Sequence, residues 1–149
     1  MKVSNDLRQV QELAIKYEPW SNNYANLVCI VKSYCRGRIE TYKIKDKVVG
    51  YVETWRLEKS QMENVLNGKF SVRTNNTTEG PILWIANITI DEPYRNDKKI
   101  VRTLKKIVFK KNKDAELVGG EYNGTRKRHK NYKLIPMRVM KRMVIRNGK

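Results

Sequence analysis

The chain has 149 residues and a formal net charge of +17, from 32 Lys+Arg against 15 Asp+Glu. With 40% hydrophobic and 32% charged residues it reads as one soluble domain spanning residues 1–149, heavily charged outside, and no apolar run approaches the roughly 20 residues that membrane insertion needs. MKVSNDLRQVQEL has no apolar signal core, so the expected location is the cytoplasm, while two cysteines and one histidine exclude a disulfide framework and leave no metal site.

Asn5 to Tyr17 predicts a first helix, capped by Ser4 or Asn5, with Leu7, Val10, Leu13, Ala14 and Tyr17 on one face. A second helix is expected from about Asn23 to Tyr34, broken by Cys35-Arg36-Gly37. Cys29 and Cys35 stand six residues apart on it, roughly 9 Å along the axis, beyond disulfide reach. From Arg38 the apolar period falls to two. Ile39, Tyr42 and Ile44 lead into the turn Lys45-Asp46-Lys47, and VVGYVETWRL returns as the second strand of an antiparallel hairpin. Gly50 inside that strand predicts a bulge or a close backbone approach. Trp20, Trp55 and Trp84 read first as core or hairpin packing residues; Trp55 alone also suits a substrate cleft.

A short helix is expected over Ser60–Asn67, a polar loop over Arg73–Gly80, and a central strand over Pro81–Ile90 (PILWIANITI). Lys98 to Lys111 carries the clearest helical period, with Ile100, Val101, Leu104, Ile107 and Val108 on its buried face. Ala115 to Tyr122 reads as a strand, Asn123 to Tyr132 as a helix, and Met137 to Ile145 as a last strand. The order predicts an α+β or α/β layered fold.

The charge is concentrated in the second half. Residues 1–94 hold 13 Lys+Arg and 11 Asp+Glu, whereas residues 95–149 hold 19 and 4. A one-signed field of this kind attracts nucleic acid or another polyanion. Lys105 and Lys106 on the helix, with Arg126, Lys127, Arg128 and Lys130 beyond the following strand, are the expected polyanion contacts. His129, in the same polar run, reads as solvated or phosphate-contacting.

The segment ITIDEPYRNDKKIVRTL, from Ile88 to Leu104, resembles the core of the Gcn5-related N-acetyltransferase (GNAT) superfamily. In that family a strand enters a Tyr-Arg-Gly-x-Gly-x-Gly/Ala loop that opens a long helix, and Tyr94-Arg95 match its Tyr-Arg. Asn123 and Tyr132 stand at spacings like its Asn…Tyr motif, and KIKDKVVGYVETWRL resembles its hairpin. The resemblance implies a mixed, mostly antiparallel sheet flanked by helices, and transfer of an acetyl group from acetyl-CoA to an amine. It implies cofactor contacts at Ile88, Ile90, Arg95, Lys98, Lys99, Ile100, Val101 and Asn123, with Tyr132 as general acid. Glu92, beside Asp91, would be the carboxylate that receives the amine proton, although both acids also suit plain turn and helix-start roles.

The departure from the family pattern is local. RNDKKIV, from Arg95 to Val101, contains no glycine, so the close approach of backbone to pyrophosphate that glycine permits is lost. A second reading follows: a non-catalytic basic protein of the same fold. Small Lys- and Asn-rich chains with degenerate GNAT-like cores resemble proteins of tailed bacteriophages, some carried in the virion, where phage structural proteins would be the partners.

Overall fold

A computed structural model describes residues 5–17, 24–66, 79–121 and 132–136. In chain order these form α1 (Asn5–Tyr17), α2 (Tyr24–Cys35), β1 (Ile39–Ile44), β2 (Lys47–Leu57), α3 (Lys59–Leu66), β3 (Ile82–Ile90), a 3₁₀ turn (Glu92–Tyr94), α4 (Lys98–Lys111), β4 (Leu117–Glu121) and β5 (Tyr132–Pro136). The five strands make one mixed sheet in the order β1-β2-β3-β4-β5. This is the α+β arrangement expected from the sequence. Among the described residues no helix is long and apolar enough to cross a membrane, and no group of three or more His, Cys, Asp or Glu could hold a metal ion. The chain divides into two compact units, Met1–Glu53 with Asn87–Ile107, and Thr54–Ala86 with Val108–Lys149.

In the first unit the apolar stripe of α1 does what its spacing dictates. Leu7, Val10, Leu13 and Ala14 are buried together with Ile30 of α2 and Ile39, Val48 and Tyr51 of the hairpin. Lys45 and Asp46, both at positive φ (50° and 65°), form the two-residue turn whose twist matches the flanking strands. Tyr42 pairs with Gly50, but Lys43 pairs with Val48, which leaves Val49 as the extra residue of a bulge. Both expectations at Gly50 are met: the bulge is its neighbour, and a Cβ there would lie 2.7 Å from Ile90 Cδ1. Buried Ser33 of α2 donates to buried Glu53 Oε2 at 2.7 Å, tying helix to strand.

In the second unit Trp55, Leu57, Met62, Ile82 and Trp84 form a buried cluster, joined by Ala86 and Leu117. Trp55 is only 2% exposed, so the packing role holds and the cleft alternative is excluded; its ring is core. β3 and β4 run parallel, in register from Ile82↔Leu117 to Ile85↔Gly120. β4 and β5 are antiparallel, from Leu117↔Pro136 to Glu121↔Tyr132. β2 and β3 run in opposite directions: Asp91 N donates to Val49 O at one end, and Gly80 lies against Leu57 at the other.

Ala86 packs with the Trp55 cluster, and Asn87 donates from Nδ2 to Tyr51 Oη at 3.1 Å. The register of β3 with β4 runs as far as Ile85.

One element differs from the sequence reading. Tyr132 is the first residue of β5 rather than the end of a helix, and the strand observed is Tyr132–Pro136. The expected final strand over 137–145 and the rest of the expected helix lie outside the described residues.

Candidate functional site

The site is built where β3 gives way to α4, entirely within the first unit. Asp91 ends the strand and caps the 3₁₀ turn, its carboxylate accepting from Glu92 N at 3.1 Å, with Pro93 fixing the turn. Tyr94 N donates to Asp91 O and Asp97 N to Tyr94 O, so the chain coils continuously into α4. Asp97 then caps that helix: its Oδ1 accepts from Lys99 N at 3.0 Å, and its carbonyl accepts from Ile100 N.

Asp91 is 5% exposed and far from idle. Its Oδ1 accepts from Tyr17 Oη at 2.5 Å and from Lys16 Nζ at 3.1 Å, both at the end of α1. The Tyr17 hydroxyl accepts in turn from Glu92 N at 2.9 Å. Arg95 donates from Nε to Ile90 O at 3.1 Å and lays its guanidinium over the Tyr17 ring, 4.5 Å from the centroid. α1 therefore clamps the strand–helix loop through one phenol.

The Tyr17 hydrogen bond, with Lys16 behind it, holds the Asp91 carboxyl below its usual range against the opposing effect of burial. Exposed Lys16 is shifted upward by the hydrogen bonds to Tyr17 and Asp91. A carboxyl depressed in the folded state contributes stability above its unfolded pKa, near 4, and loses it as the pH falls through the lower folded value. Tyr17→Phe should therefore cost about 1.5–3 kcal/mol at pH 7, the range for a hydrogen bond to a charged group. The gap should shrink below about pH 4. Urea midpoints of both proteins at pH 7 and pH 3 check this, and an equal gap at the two pH values would contradict it.

The expected site residues fall as follows. Arg95, Lys98 and Lys99 are exposed around the start of α4, and Glu92 is exposed one residue after Asp91. Ile88 and Ile90 are half-buried near the end of β3. Ile100 is fully buried beside Gly50 and its amide is taken by the Asp97 carbonyl, so the expected cofactor contact there is not met by its side chain or its N–H; Val101 is half-buried. On α4, Lys105 is half-exposed and Lys106 exposed. Tyr132 has its backbone opposite Glu121 in the β4–β5 ladder. Asn123, Arg126, Lys127, Arg128 and Lys130 lie outside the described residues.

Sequence reasoning missed the roles of Lys16 and Tyr17. Tyr17 was legible only as the last member of an apolar stripe, and its partner stands 74 residues away. A cavity of about 170 Å³ opens beside the clamp, lined in part by Gln9, Glu12, Lys16, Lys47 and Asp91. Among the described residues its lining includes none of Arg95, Lys98 or Lys99.

No family model matches the chain, and no curated protein matches it. Among solved structures it is similar to the loading GNATL domain of CurA from Lyngbya majuscula, with TM-score 0.57 and 20% identity over 78% of this chain and 60% of that one. It is similar to the GphF GNAT-like decarboxylase in complex with isobutyryl-CoA, with TM-score 0.60 and 14% identity over 80% of this chain and 63% of that one. A ribosomal-protein-alanine N-acetyltransferase from Brucella melitensis matches with TM-score 0.53 and 11% identity over 99% of this chain and 80% of that one. The chain thus spans about 60% of the length of the first two. Identities of 11–20% establish architecture and nothing finer, and the conclusion they carry is that this chain has the GNAT fold.

Proposed function

We propose that the chain is an N-acyltransferase that takes its acyl group from a coenzyme A thioester, acetyl-CoA in the first instance, and passes it to an amine. The observation that carries this reading is the start of α4, where exposed Arg95, Lys98 and Lys99 surround a helix N-terminus with no acidic residue in its first turn. The positive end of the helix dipole favours an anion there, and two lysines at that end are otherwise unfavourably placed. In charge these residues fit the coenzyme's diphosphate. Arg95, Lys98 and Lys99 would hold it, and the half-buried Ile88, Ile90 and Val101 would border it, with Asn123 following β4. Acetyl-CoA supplies an activated thioester. On this chain Glu92 would take the amine proton and Tyr132 would return one to the leaving sulfur.

The Asp97 carboxylate favours the second reading, a non-catalytic basic protein of the same fold. It already occupies the Lys99 amide, and no glycine between Arg95 and Val101 offers an alternative approach. An anion binding here must turn Asp97 aside. Calorimetric titration of acetyl-CoA therefore separates the readings. The chain should bind weakly, and Asp97→Asn, which keeps a cap but removes the charge, should bind about tenfold more tightly, a gain of roughly 1.4 kcal/mol. Asp97→Gly should gain at least as much. Absence of binding in all three proteins at millimolar acetyl-CoA would sink the acyltransferase and leave the second reading standing.

A further inference from the structure

The diphosphate of a coenzyme would occupy only the first turn of α4, yet the cationic character continues along the helix. KKIVRTLKKIVFKK holds seven Lys or Arg and no acid. Lys99, Arg102 and Lys106 follow one another at three- and four-residue steps, with Lys98 and Lys105 beside them, so five cations line one side of the part of α4 in the first unit. Lys98, Lys99 and Lys106 are exposed and Arg102 and Lys105 half-exposed, whereas Ile100, Leu104 and Val108 are buried on the opposite side. No ion pair joins any of these five to an acid among the described residues. Like charges one turn apart repel, and nothing in the helix itself relieves them.

We infer that this side of α4 binds the phosphate backbone of duplex nucleic acid, without reading its sequence. Along the helix the cations rise roughly 4.5–6 Å per step, comparable to the few ångströms between successive phosphates along a strand. The chemistry of the face discriminates among polyanions. A membrane-surface helix inserts Trp, Phe or Leu beneath its lysines, and the apolar residues of α4 are turned into the core instead. A protein interface needs aromatic or aliphatic anchors at its centre, and the exposed side offers none. Long flexible cations alone suit a ligand recognised by charge and spacing, which is the backbone mode of nucleic-acid binding. Lys98 and Lys99 are shared with the acyltransferase reading, but Arg102, Lys105 and Lys106 are not, and the inference is tested on those three.

Fluorescence anisotropy of the full chain with labelled duplex DNA of about 20 base pairs tests it, using two unrelated sequences between about 50 and 200 mM salt. Both duplexes should bind alike, with log affinity falling against log salt at a slope of about −3 for three to four phosphate contacts. The triple variant Arg102→Gln, Lys105→Gln, Lys106→Gln, checked for folding by circular dichroism, should lose at least about tenfold in affinity and flatten the slope by about 2. The pair Lys105→Arg and Lys106→Arg should keep both. No binding at tens of micromolar near 100 mM salt overturns the inference, and so does a triple variant that binds like the parent. Preference for polyglutamate or for vesicles containing phosphatidylserine over DNA overturns it equally, in favour of an acidic protein or a membrane surface.

Discussion

Gly80→Ala should be among the most damaging single substitutions in the described residues, lowering stability by about 3 kcal/mol, the upper end for overpacking. The added Cβ would lie 2.1 Å from Leu57 O, 2.3 Å from Leu57 C and 2.5 Å from Glu58 N. All three are backbone atoms, so no rotamer change relieves the clash; the chain leaving β2 must move. That movement would strain a second set of contacts. Gly80 O accepts from Arg56 Nε at 2.7 Å, and the same guanidinium makes a paired contact with Asp114 at 3.0 and 3.1 Å. Arg56 is 4% exposed, so a lost hydrogen bond there leaves a buried charge partly unsatisfied. Gly50→Ala is the control. Its Cβ would meet Ile90 Cδ1 at 2.7 Å, a less severe clash and one made with the tip of a flexible side chain. It should cost about 1 kcal/mol. For a chain of this size the two costs correspond to thermal midpoints lowered by roughly 6–12 °C and 2–4 °C. Equal midpoints for the two variants would show that backbone rigidity at Leu57–Glu58 is not the deciding factor.

The same contrast between local and distant determinants explains what could be read from the sequence. α1 and α4 begin and end where their apolar periods begin and end, because the stripe Leu7-Val10-Leu13-Ala14 and the stripe Ile100-Leu104-Val108 each specify burial without outside help. The hairpin was legible for a similar reason: Lys45-Asp46 interrupts two runs of period two. The clamp at Asp91 was not. It is made by a hydroxyl and an ammonium from α1, and no spacing rule connects residue 17 to residue 91. β5 was missed because a helix was expected up to Tyr132 and the last strand only from Met137, while the segment between them ends in Pro136. In the sheet it faces Leu117 at the end of the ladder, where a missing N–H is tolerated. The partner of Asn87 is equally silent in ILWIANITI, since its amide donates to the Tyr51 hydroxyl 36 residues away. Of the candidate site, the cations at the start of α4 were legible by charge. The cap that competes for the same amides was present as Asp97 in the sequence, but its hydrogen bond to Lys99 N becomes visible only in the fold.

If the acyltransferase reading holds, Tyr132→Phe should lower kcat by roughly 10²–10⁴ while leaving acetyl-CoA affinity unchanged. The asymmetry follows from when the hydroxyl acts. Departure of a thiolate develops negative charge on sulfur in the transition state, and a phenol that donates its proton at that moment stabilises the transition state alone. On the proposed reading ground-state binding would rest instead on Arg95, Lys98 and Lys99, which the substitution leaves unchanged. Removing one oxygen from a residue whose backbone remains opposite Glu121 in the β4–β5 ladder should also leave the fold intact. A merely structural role would give a different pattern, with stability and affinity falling together and turnover falling only in proportion. Unchanged turnover in Tyr132→Phe would take this residue out of the mechanism and leave proton return to solvent.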